Sequence, residues 1–358
     1  MKVAVAYEAS QPLILDDLPT PDIGPRDVLV RVSASGICHT DLNVIEGTSA
    51  LPLPIVPGHE ACGIVEATGR DVRRVTKGDR VLASVTPACG SCWWCVNGMS
   101  QHCELNGPVK AAKRFALPDG RQAGAVCGVG SFAQAMVVDE ASVVPVRTSL
   151  SDDQLALLGC GVTTGLGAAL NTARVTPGSS VAVLGCGGVG QSVIQGARIA
   201  GAATIIAIDP VKARRDGSVH AGATHTIDPN EADPLSRVRE LTDGRGADYA
   251  FEVVGRPELM VQAFSLARTA GAVILVGMPA VTDQLTLPAI QAVFSGKRLQ
   301  GAVIGGSQIL RDFPRYIALA ESGQLDLEAM VSQRITLDEI NKGIDLAHRA
   351  EGVRTVVV

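Results

Sequence analysis

Four cysteines crowd one short stretch of this chain: Cys89, Cys92, Cys95 and Cys103, inside PACGSCWWCVNGMSQHC. The spacing C-x2-C-x2-C-x7-C lets four thiolates surround one tetrahedral Zn2+ and leaves no position for water. Such a site clamps a lobe of chain and does no chemistry of its own. The nearest alternative is an iron–sulfur run, C-x2-C-x2-C-x3-C-P, but here the last gap is seven residues and no proline follows Cys103. Disulfides are the other alternative, since the chain holds nine cysteines. They belong mainly to secreted proteins, and the opening MKVAVAYE reads as a strand rather than a basic, apolar signal segment. The spacing favours structural zinc over both.

A length of 358 residues corresponds to about two domains. A hydrophobic content of 46% supplies their cores, and with only 3% aromatics, Val, Ala, Leu and Ile must fill them. The net charge of −5 argues against a nucleic-acid or anionic-membrane partner. The longest apolar stretches, such as 271–276 with its flanks, fall short of the ~18 residues a membrane span needs. A cytoplasmic protein with reduced thiols is expected.

The first half is strand-like. Residues 28–34, 61–67 and 80–84 are short β-rich runs broken by Gly and Pro, the pattern of a partly barrel-like β domain. After Cys160 the pattern changes. Residues 180–184 form an apolar strand, followed by a Gly-rich turn and a helical stretch to about Ala200, then a second strand at 204–208. Helices at 211–221, 257–269 and 288–294 alternate with strands at 225–227, 249–253, 272–276 and 299–304. Near-continuous apolar strands alternating with helices build a parallel sheet covered on both faces. Six such strands match a doubly wound dinucleotide-binding sheet. The final VRTVVV reads as a strand that folds back onto the first domain. The expected domains are 1–162 with 303–358, and 163–302.

Gly185-Cys186-Gly187-Gly188-Val189-Gly190 matches G-x-G-x-x-G. In a chain with 39 glycines the hexamer alone is weak; its place between a strand and a helix gives it meaning. Gly185 permits a tight turn, Gly187 with Gly188 beside it lets the backbone approach a pyrophosphate, and Gly190 lets helix and strand pack closely. The helix N-terminus adds free N–H groups and a positive dipole end. Asp209, at the end of the second strand, suits the adenosine ribose hydroxyls and repels a 2′-phosphate, which favours NAD over NADP. Arg214 and Arg215 follow closely, and an arginine can receive that phosphate. Cys62, Cys127 and Cys186 read as packing or incidental thiols, with sensitivity of the loop to thiol reagents as the alternative at Cys186.

Three more metal-ligand types stand apart: Cys38 in SGICHTD, His59 in PGHEACG and Cys160 in LGCGVTTG. Each alone reads first as a core residue, since Cys is among the most buried types. The set also includes GHEACG at 58–63 with Gly69, GDRV at 78–81, GCG at 159–161, the four-Cys run and the 185–190 loop. Together these resemble the zinc-dependent alcohol dehydrogenases of the medium-chain dehydrogenase/reductase superfamily, closest to the liver-type and formaldehyde-oxidising branches. The resemblance covers essentially the whole chain. It implies an α/β protein with a GroES-like β-rich catalytic domain and a Rossmann domain, and two Zn2+ per chain. The Cys2His donor set is the one established for alcohol dehydrogenases, so it comes with the resemblance and not from spacing. Cys38, His59 and Cys160 would then hold a catalytic zinc with one open position, a Lewis acid for a bound alcohol. The hydride would pass to NAD.

The resemblance also assigns neighbours. Asp41 would hydrogen-bond His59 and fix its tautomer. Glu60 would lie behind the zinc, and the Thr40 hydroxyl would accept the substrate proton. Thr164, Val189 and Val276 would border the nicotinamide, with plain core packing as the alternative. Arg354 would contact the pyrophosphate. Asn43 stands where the liver-type proton relay ends in a histidine, and an amide cannot take up a proton near neutral pH. His39 stands where the family has a phosphate-binding arginine. An imidazole holds phosphate less firmly than a guanidinium fork, so NADH binding should be looser and tighten as pH falls. Val85 replaces an aromatic that narrows the pocket, which would admit bulky or aryl alcohols. Ser49 and Gly107 stand where the thiol-adduct formaldehyde branch carries an acidic residue and an arginine, which argues against that substrate.

The expected activity is reversible NAD-dependent oxidation of a primary alcohol to an aldehyde. The alternatives are a thiol-adduct-dependent formaldehyde dehydrogenase, a non-catalytic member of the same fold and, remotely, an iron–sulfur carrier. The expected partners are a small alcohol or aldehyde and a second copy of the chain, as a homodimer or alternatively a homotetramer. Neither nucleic acid nor membrane is expected. Arg73, Arg74 and Lys77 read as a solvated turn, and one of Trp93 and Trp94 as a plug for the four-Cys lobe.

Overall fold

Alternating residues in DVLVRVSASG bury Val28 and Val30 on one face of a 10-residue strand, Asp27–Gly36. It lies in a computed structural model that describes residues 1–49, 51–349 and 352–358. This strand is the spine of a seven-stranded sheet in the first of two units, Met1–Gly161 with Gln308–Val358. The order is Val143–Pro145, Arg80–Ala83, Glu60–Thr68, Asp27–Gly36, Arg354–Val357, Val331–Ile335, with Ala135–Asp139 also paired to Asp27–Gly36. All pairs are antiparallel except the last two strands of that order, which are parallel. The chain's final strand therefore lies inside the sheet, with Val356 opposite Gly36 and Val357 opposite Ser35. Val28, Val30, Ala61, Val65, Val81 and Met136 share one core. Ile37, Leu42, Phe132, Ile340 and Ile344 belong to a second.

The second unit is Val162–Ser307. Its six strands are all parallel, in the order His225–Ile227, Thr204–Ile208, Ser180–Leu184, Ala247–Glu252, Ala267–Leu275, Arg298–Gly301. Period-two alternation divides the strand Ser180–Leu184 between two cores. Val181 and Val183 pack with Val193 and Ile194 of the helix Gly188–Ile199. Ala182 and Leu184 pack with Ala263 and Phe264 of the helix Pro257–Leu266. Helices thus cover both faces, which is why the inner strands Ser180–Leu184 and Thr204–Ile208 read as nearly unbroken apolar runs. The strand order reverses between Ser180–Leu184 and Ala247–Glu252, the switch point at which such sheets bind ligands. The fold is α/β.

The sixth strand is shorter than the apolar run suggests and stops at Gly301. Ile304 and Gly305 take φ of 47° and 61°, and a Cβ on Gly305 would lie 2.3 Å from the Thr164 carbonyl oxygen. The chain turns there, so 303–307 stay with the second unit. A further helix, Pro234–Glu240, starts on Asp233, whose side chain accepts the Ser236 N–H at 2.9 Å. Among the described residues no single helix is long and apolar enough to cross a membrane.

Candidate active site

The four-cysteine segment folds as a tight loop around one helical turn, Trp93–Val96. Cys89 Sγ lies 3.8 Å from Cys95 Sγ, Cys92 Sγ lies 3.9 Å from Cys103 Sγ, and all four sulfurs lie within 4.8 Å of one another. Sulfurs bonded at about 2.3 Å to a tetrahedral centre sit about 3.8 Å apart, so the donors fit one ion. A disulfide bond would need about 2.05 Å, and none of the nine cysteines is bridged. Burial opposes ionisation of Cys89, but N–H groups of Ser91 and Cys92 at 3.4 and 3.3 Å outweigh it and bring the thiol down to about 6. Trp93 and Trp94 are both exposed, at 59% and 37%, and pack edge to face, so neither plugs the lobe. Arg74 corrects the reading of its turn as solvated. Its half-buried guanidinium donates to the Ala88 and Glu140 carbonyls at 2.9 Å each, which ties the lobe's entry to the sheet. Arg73 and Lys77 are exposed.

The second cluster is assembled from distant segments. Cys38 caps the helix His39–Ile45, and Asp41 in its first turn reaches back so that Oδ2 accepts the Cys38 N–H at 3.1 Å. Asp41 Oδ1 accepts the Gly58 N–H at 2.8 Å and lies 3.0 Å from His59 Nδ1. With Nδ1 donating to a fully buried carboxylate, His59 presents a bare Nε2 on its other side. Gly58 holds a φ of +90°, and a Cβ there would lie 2.5 Å from the Phe132 nitrogen, so the chain enters His59 through glycine. Cys160 follows the 3-10 turn Leu157–Gly159. The donor atoms of Cys38, His59, Glu60 and Cys160 all lie within 4.8 Å of one another.

His59 Nε2 is buried and has no hydrogen-bond partner among the described residues. Buried polar atoms are almost always paired, and an imidazole nitrogen left bare beside two thiols suits a metal bond. The donor set therefore fits Zn2+. Its electrostatics agree. The Cys160 thiol donates toward Cys38, and with the Arg354 and His59 charges it overcomes burial to hold Cys38 well below its ordinary value. Cys160, as that donor and buried, is raised well above its own. Burial favours a neutral His59, but Asp41 and Cys38 outweigh it and raise the imidazole. The cluster draws positive charge, as a cation site must. Glu60 is fully buried behind it. Its Oε1 accepts the Gly161 N–H at 2.9 Å and Arg354 Nη2 at 3.3 Å, while Oε2 has no partner among the described residues. Burial pushes Glu60 up to about 7 against the pull of Arg354.

Thr40 is half-buried, with Oγ1 3.9 Å from Cys38 Sγ, and His39 is exposed on the same turn. Asn43 is half-buried, and its carbonyl accepts from Thr48 and Ser49. Ser49 Oγ accepts the Leu51 N–H at 3.1 Å, and Gly107 is exposed. Val85 is buried. Cys62 and Cys186 are fully buried, and burial pushes both thiols up to about 12. Such thiols are inert, in line with packing roles for Cys62 and Cys186 and against the alternative of reagent sensitivity at Cys186.

In the second unit, the strand Ser180–Leu184 runs straight into the glycine loop. Gly185 has a φ of +91°, and a Cβ on Gly190 would lie 2.0 Å from the Gly185 carbonyl oxygen. A Cβ on Gly187 would meet nothing within 4 Å. The loop folds tightly, packs tightly and keeps one face clear at the start of the helix Gly188–Ile199, the shape a pyrophosphate needs. Asp209 is buried; Oδ2 accepts the Cys186 N–H and Oδ1 the Val211 N–H, each at 2.8 Å. Arg214 Nη1 lies 3.8 Å from Asp209 Oδ2, and Arg214 Nε is buried without a partner among the described residues. Arg215 is turned instead to Asp228 at 2.8 Å. Thr164, Val189 and Val276 are half-buried. The sequence reading gave no role to Glu252, a fully buried acid at the end of the strand Ala247–Glu252.

A parallel sheet with a glycine loop at its switch point, in one chain with a buried thiol–imidazole cluster, defines a metal- and nucleotide-dependent dehydrogenase. Residues 24–148 match the family model of the alcohol dehydrogenase GroES-like domain, and 188–322 match that of the zinc-binding dehydrogenases. The fold is similar to that of an alcohol dehydrogenase zinc-binding domain protein from Burkholderia ambifaria. Identity is 32% over 99% of this chain and 98% of that one, with a TM-score of 0.93. A benzyl alcohol dehydrogenase from Acinetobacter calcoaceticus is 30% identical over 99% and 98%, with a TM-score of 0.93. A protein from Sinorhizobium meliloti, described as a zinc-binding dehydrogenase and solved with NADP, is 27% identical over 100% and 98%, with a TM-score of 0.82. The chain belongs to the zinc-dependent alcohol dehydrogenases of the medium-chain dehydrogenase/reductase superfamily. It is an oxidoreductase of small molecules that works with zinc and a nicotinamide cofactor.

Proposed function

We propose that the chain oxidises primary alcohols reversibly to aldehydes with NAD, and that its pocket admits aryl and bulky alcohols. The observation that carries this reading is the trio of buried Cys38, buried His59 and half-buried Cys160, with His59 Nε2 unpartnered among the described residues. These three residues would hold the catalytic zinc, and Cys89, Cys92, Cys95 and Cys103 a structural one, two per chain. The catalytic ion supplies a Lewis acid that lets a bound alcohol lose its proton near neutral pH.

The chain's own groups do the rest. Asp41 keeps His59 in the tautomer that offers Nε2. The Thr40 hydroxyl receives the substrate proton. Asn43 cannot hold that proton near neutral pH, so it leaves through water, and added buffer bases raise turnover where proton exit limits it. Glu60 and Arg354 form a buried charge pair behind the ligands. His39, exposed on its turn, and Arg354, whose nearly buried guanidinium also pairs with Glu60, are assigned to the coenzyme phosphates. Gly185, Gly187, Gly188 and Gly190 seat the pyrophosphate, and Thr164, Val189 and Val276 border the nicotinamide.

Asp209 supports NAD, because its buried carboxylate repels a 2′-phosphate. Arg214 beside it and the relative solved with NADP favour the second reading, an NADP enzyme. The small Val85 and the similarity to a benzyl alcohol dehydrogenase support aryl substrates. Ser49 and Gly107 speak against a thiol-adduct formaldehyde dehydrogenase. The test is kcat/KM for aliphatic, secondary and aryl alcohols with NAD and with NADP. The reading stands if primary aryl alcohols with NAD lead the panel. It falls if NADP or secondary alcohols lead.

Ile290, Val293 and Phe294 are exposed at 66%, 73% and 79%, close in sequence to the strand Arg298–Gly301 at the sheet's edge. An apolar patch beside an open edge calls for a cover, which we assign to a second copy of the chain. Sedimentation at micromolar concentration should give a dimer, and a tetramer would require a further interface. The nine unbridged cysteines suit the reducing cytoplasm.

A further inference from the structure

Glu252 is 0% exposed, at the C-terminal end of the strand that flanks the switch point and directly opposite Leu184. An acidic residue is almost never fully buried unless paired, and among the described residues no cation bonds to this one. Its Oε1 accepts the Val254 N–H at 2.9 Å and the Gly255 N–H at 2.7 Å. Its Oε2 is buried with no partner among the described residues. Its main-chain carbonyl accepts the N–H groups of Val276 and Gly277 at 2.8 and 3.0 Å. One residue thus holds two turns, 253–256 through its side chain and 276–278 through its backbone.

Both turns bear on the coenzyme loop and on each other. A Cβ on Gly185 would lie 2.5 Å from Val254 Cγ2, and one on Gly190 would lie 3.5 Å from Val253 Cγ2, so 253–254 form the wall behind the loop. A Cβ on Gly277 would lie 2.0 Å from the Gly255 nitrogen, so the second turn rests on the first. With that little clearance, a shift of 253–256 must move both the glycine loop and the backbone beside Val276.

We propose that Glu252 is a positioning residue of the coenzyme site. Its carboxyl fixes the 253–256 turn and, through that turn, the spacing between the pyrophosphate loop and the strand end at Val276. The role needs an acceptor at Oε1 and the length of the side chain. It does not need a negative charge, and burial, which raises the pKa of this carboxyl, favours the neutral acid. Glutamine supplies the same acceptor and length, aspartate supplies a carboxyl one methylene short, and alanine supplies neither.

The inference rests on 185–190 as the coenzyme loop, so wild-type NADH binding is the reference, followed by NADH fluorescence with zinc content and Tm measured alongside. Glu252→Gln should keep wild-type NADH affinity and KM for NAD. Glu252→Ala and Glu252→Asp should weaken NADH binding and raise that KM about tenfold, the effect of one or two lost hydrogen bonds, with kcat changed much less and both metals retained. A purely structural role would lower Tm and leave the affinity of the folded fraction unchanged, and that result overturns the proposal. A glutamine variant as weak as alanine also overturns it. If Glu252→Ala does not fold, Glu252→Asp carries the test alone, and wild-type affinity in that variant overturns the proposal. A wild-type chain that binds no NADH would instead defeat the functional reading, and this inference with it.

Discussion

The four-cysteine lobe and the Cys38–His59–Cys160 centre gather similar donors by opposite routes. The lobe draws four sulfurs from one loop, three of them only half-buried, and its neighbours are mostly its own backbone N–H groups. The centre draws from a helix cap, a strand entry and a turn after a 3-10 helix, all within the first unit. Its geometry depends on Asp41, on the close packing of Gly58 against Phe132, and on Glu60 held by Gly161 and Arg354. A closed site needs only its own loop. A centre gathered from three distant segments needs a whole unit to hold it, and damage far along the chain can reach it.

The sharpest way to break this comparison is to remove one centre ligand. His59→Ala should cut activity by at least about a thousandfold, the several kcal/mol a Lewis acid contributes, while metal analysis falls from two zinc per chain to one. Loss of both metals together would show that the sites are not independent. Asp41→Asn keeps size but removes the charge that orients His59. It should weaken metal binding at the centre by about 10–100-fold, with the lobe's metal unchanged in equilibrium dialysis. Arg74→Met tests the opposite dependence. In a His59→Ala background, which leaves only lobe metal, it should speed zinc transfer to a colorimetric chelator by up to about tenfold through the loss of the Ala88 tie.

The smallest effect concerns the helix Asp152–Ala156, which leads to Cys160. Burial works against the Asp153 carboxylate, but the Ser151 hydroxyl and the Arg334 guanidinium outweigh it and hold its pKa below the ordinary carboxylate value. A carboxyl depressed in the folded state adds stability above its unfolded value, and that stability is lost as pH falls through the folded value. Arg334→Met should therefore lower Tm slightly at pH 7, and its curve should rejoin that of the wild type once the pH has fallen through the lowered folded value of Asp153. A gap that persists there would assign the effect to packing.

The same contrast explains what the sequence revealed. The lobe and the glycine loop are contiguous, so spacing alone exposes their chemistry, and the inner strands at 180–184 and 204–208 stand out because burial on both faces leaves them almost wholly apolar. The centre is spread over three segments, and only the resemblance to known dehydrogenases linked them before the structure brought their donors together. Arg74 was misread because its partners at Ala88 and Glu140 become neighbours only through sheet pairing. The end of the sixth strand was missed because the close approach of Gly305 to Thr164, far away in sequence, exists only in the fold. Glu252 did leave a trace: an acid at the end of the strand ADYAFE, directly before VVG. An acid there invites the question of what it bonds.

The position of the strand Arg354–Val357 also has a consequence for biosynthesis. Glu60 and its partner Arg354 are separated by 294 residues, about 15–60 s of translation at 5–20 residues per second. Through that interval the second unit, contiguous in the chain, can be completed as it emerges. The first cannot, because the Ser35–Gly36 end of its spine strand still lacks its last neighbour. The metal-binding unit is begun first and finished last, so the nascent chain carries an incomplete sheet for most of its synthesis. Until Arg354 emerges, Glu60 lacks its buried cation and the open side of the spine strand is the surface a chaperone would cover.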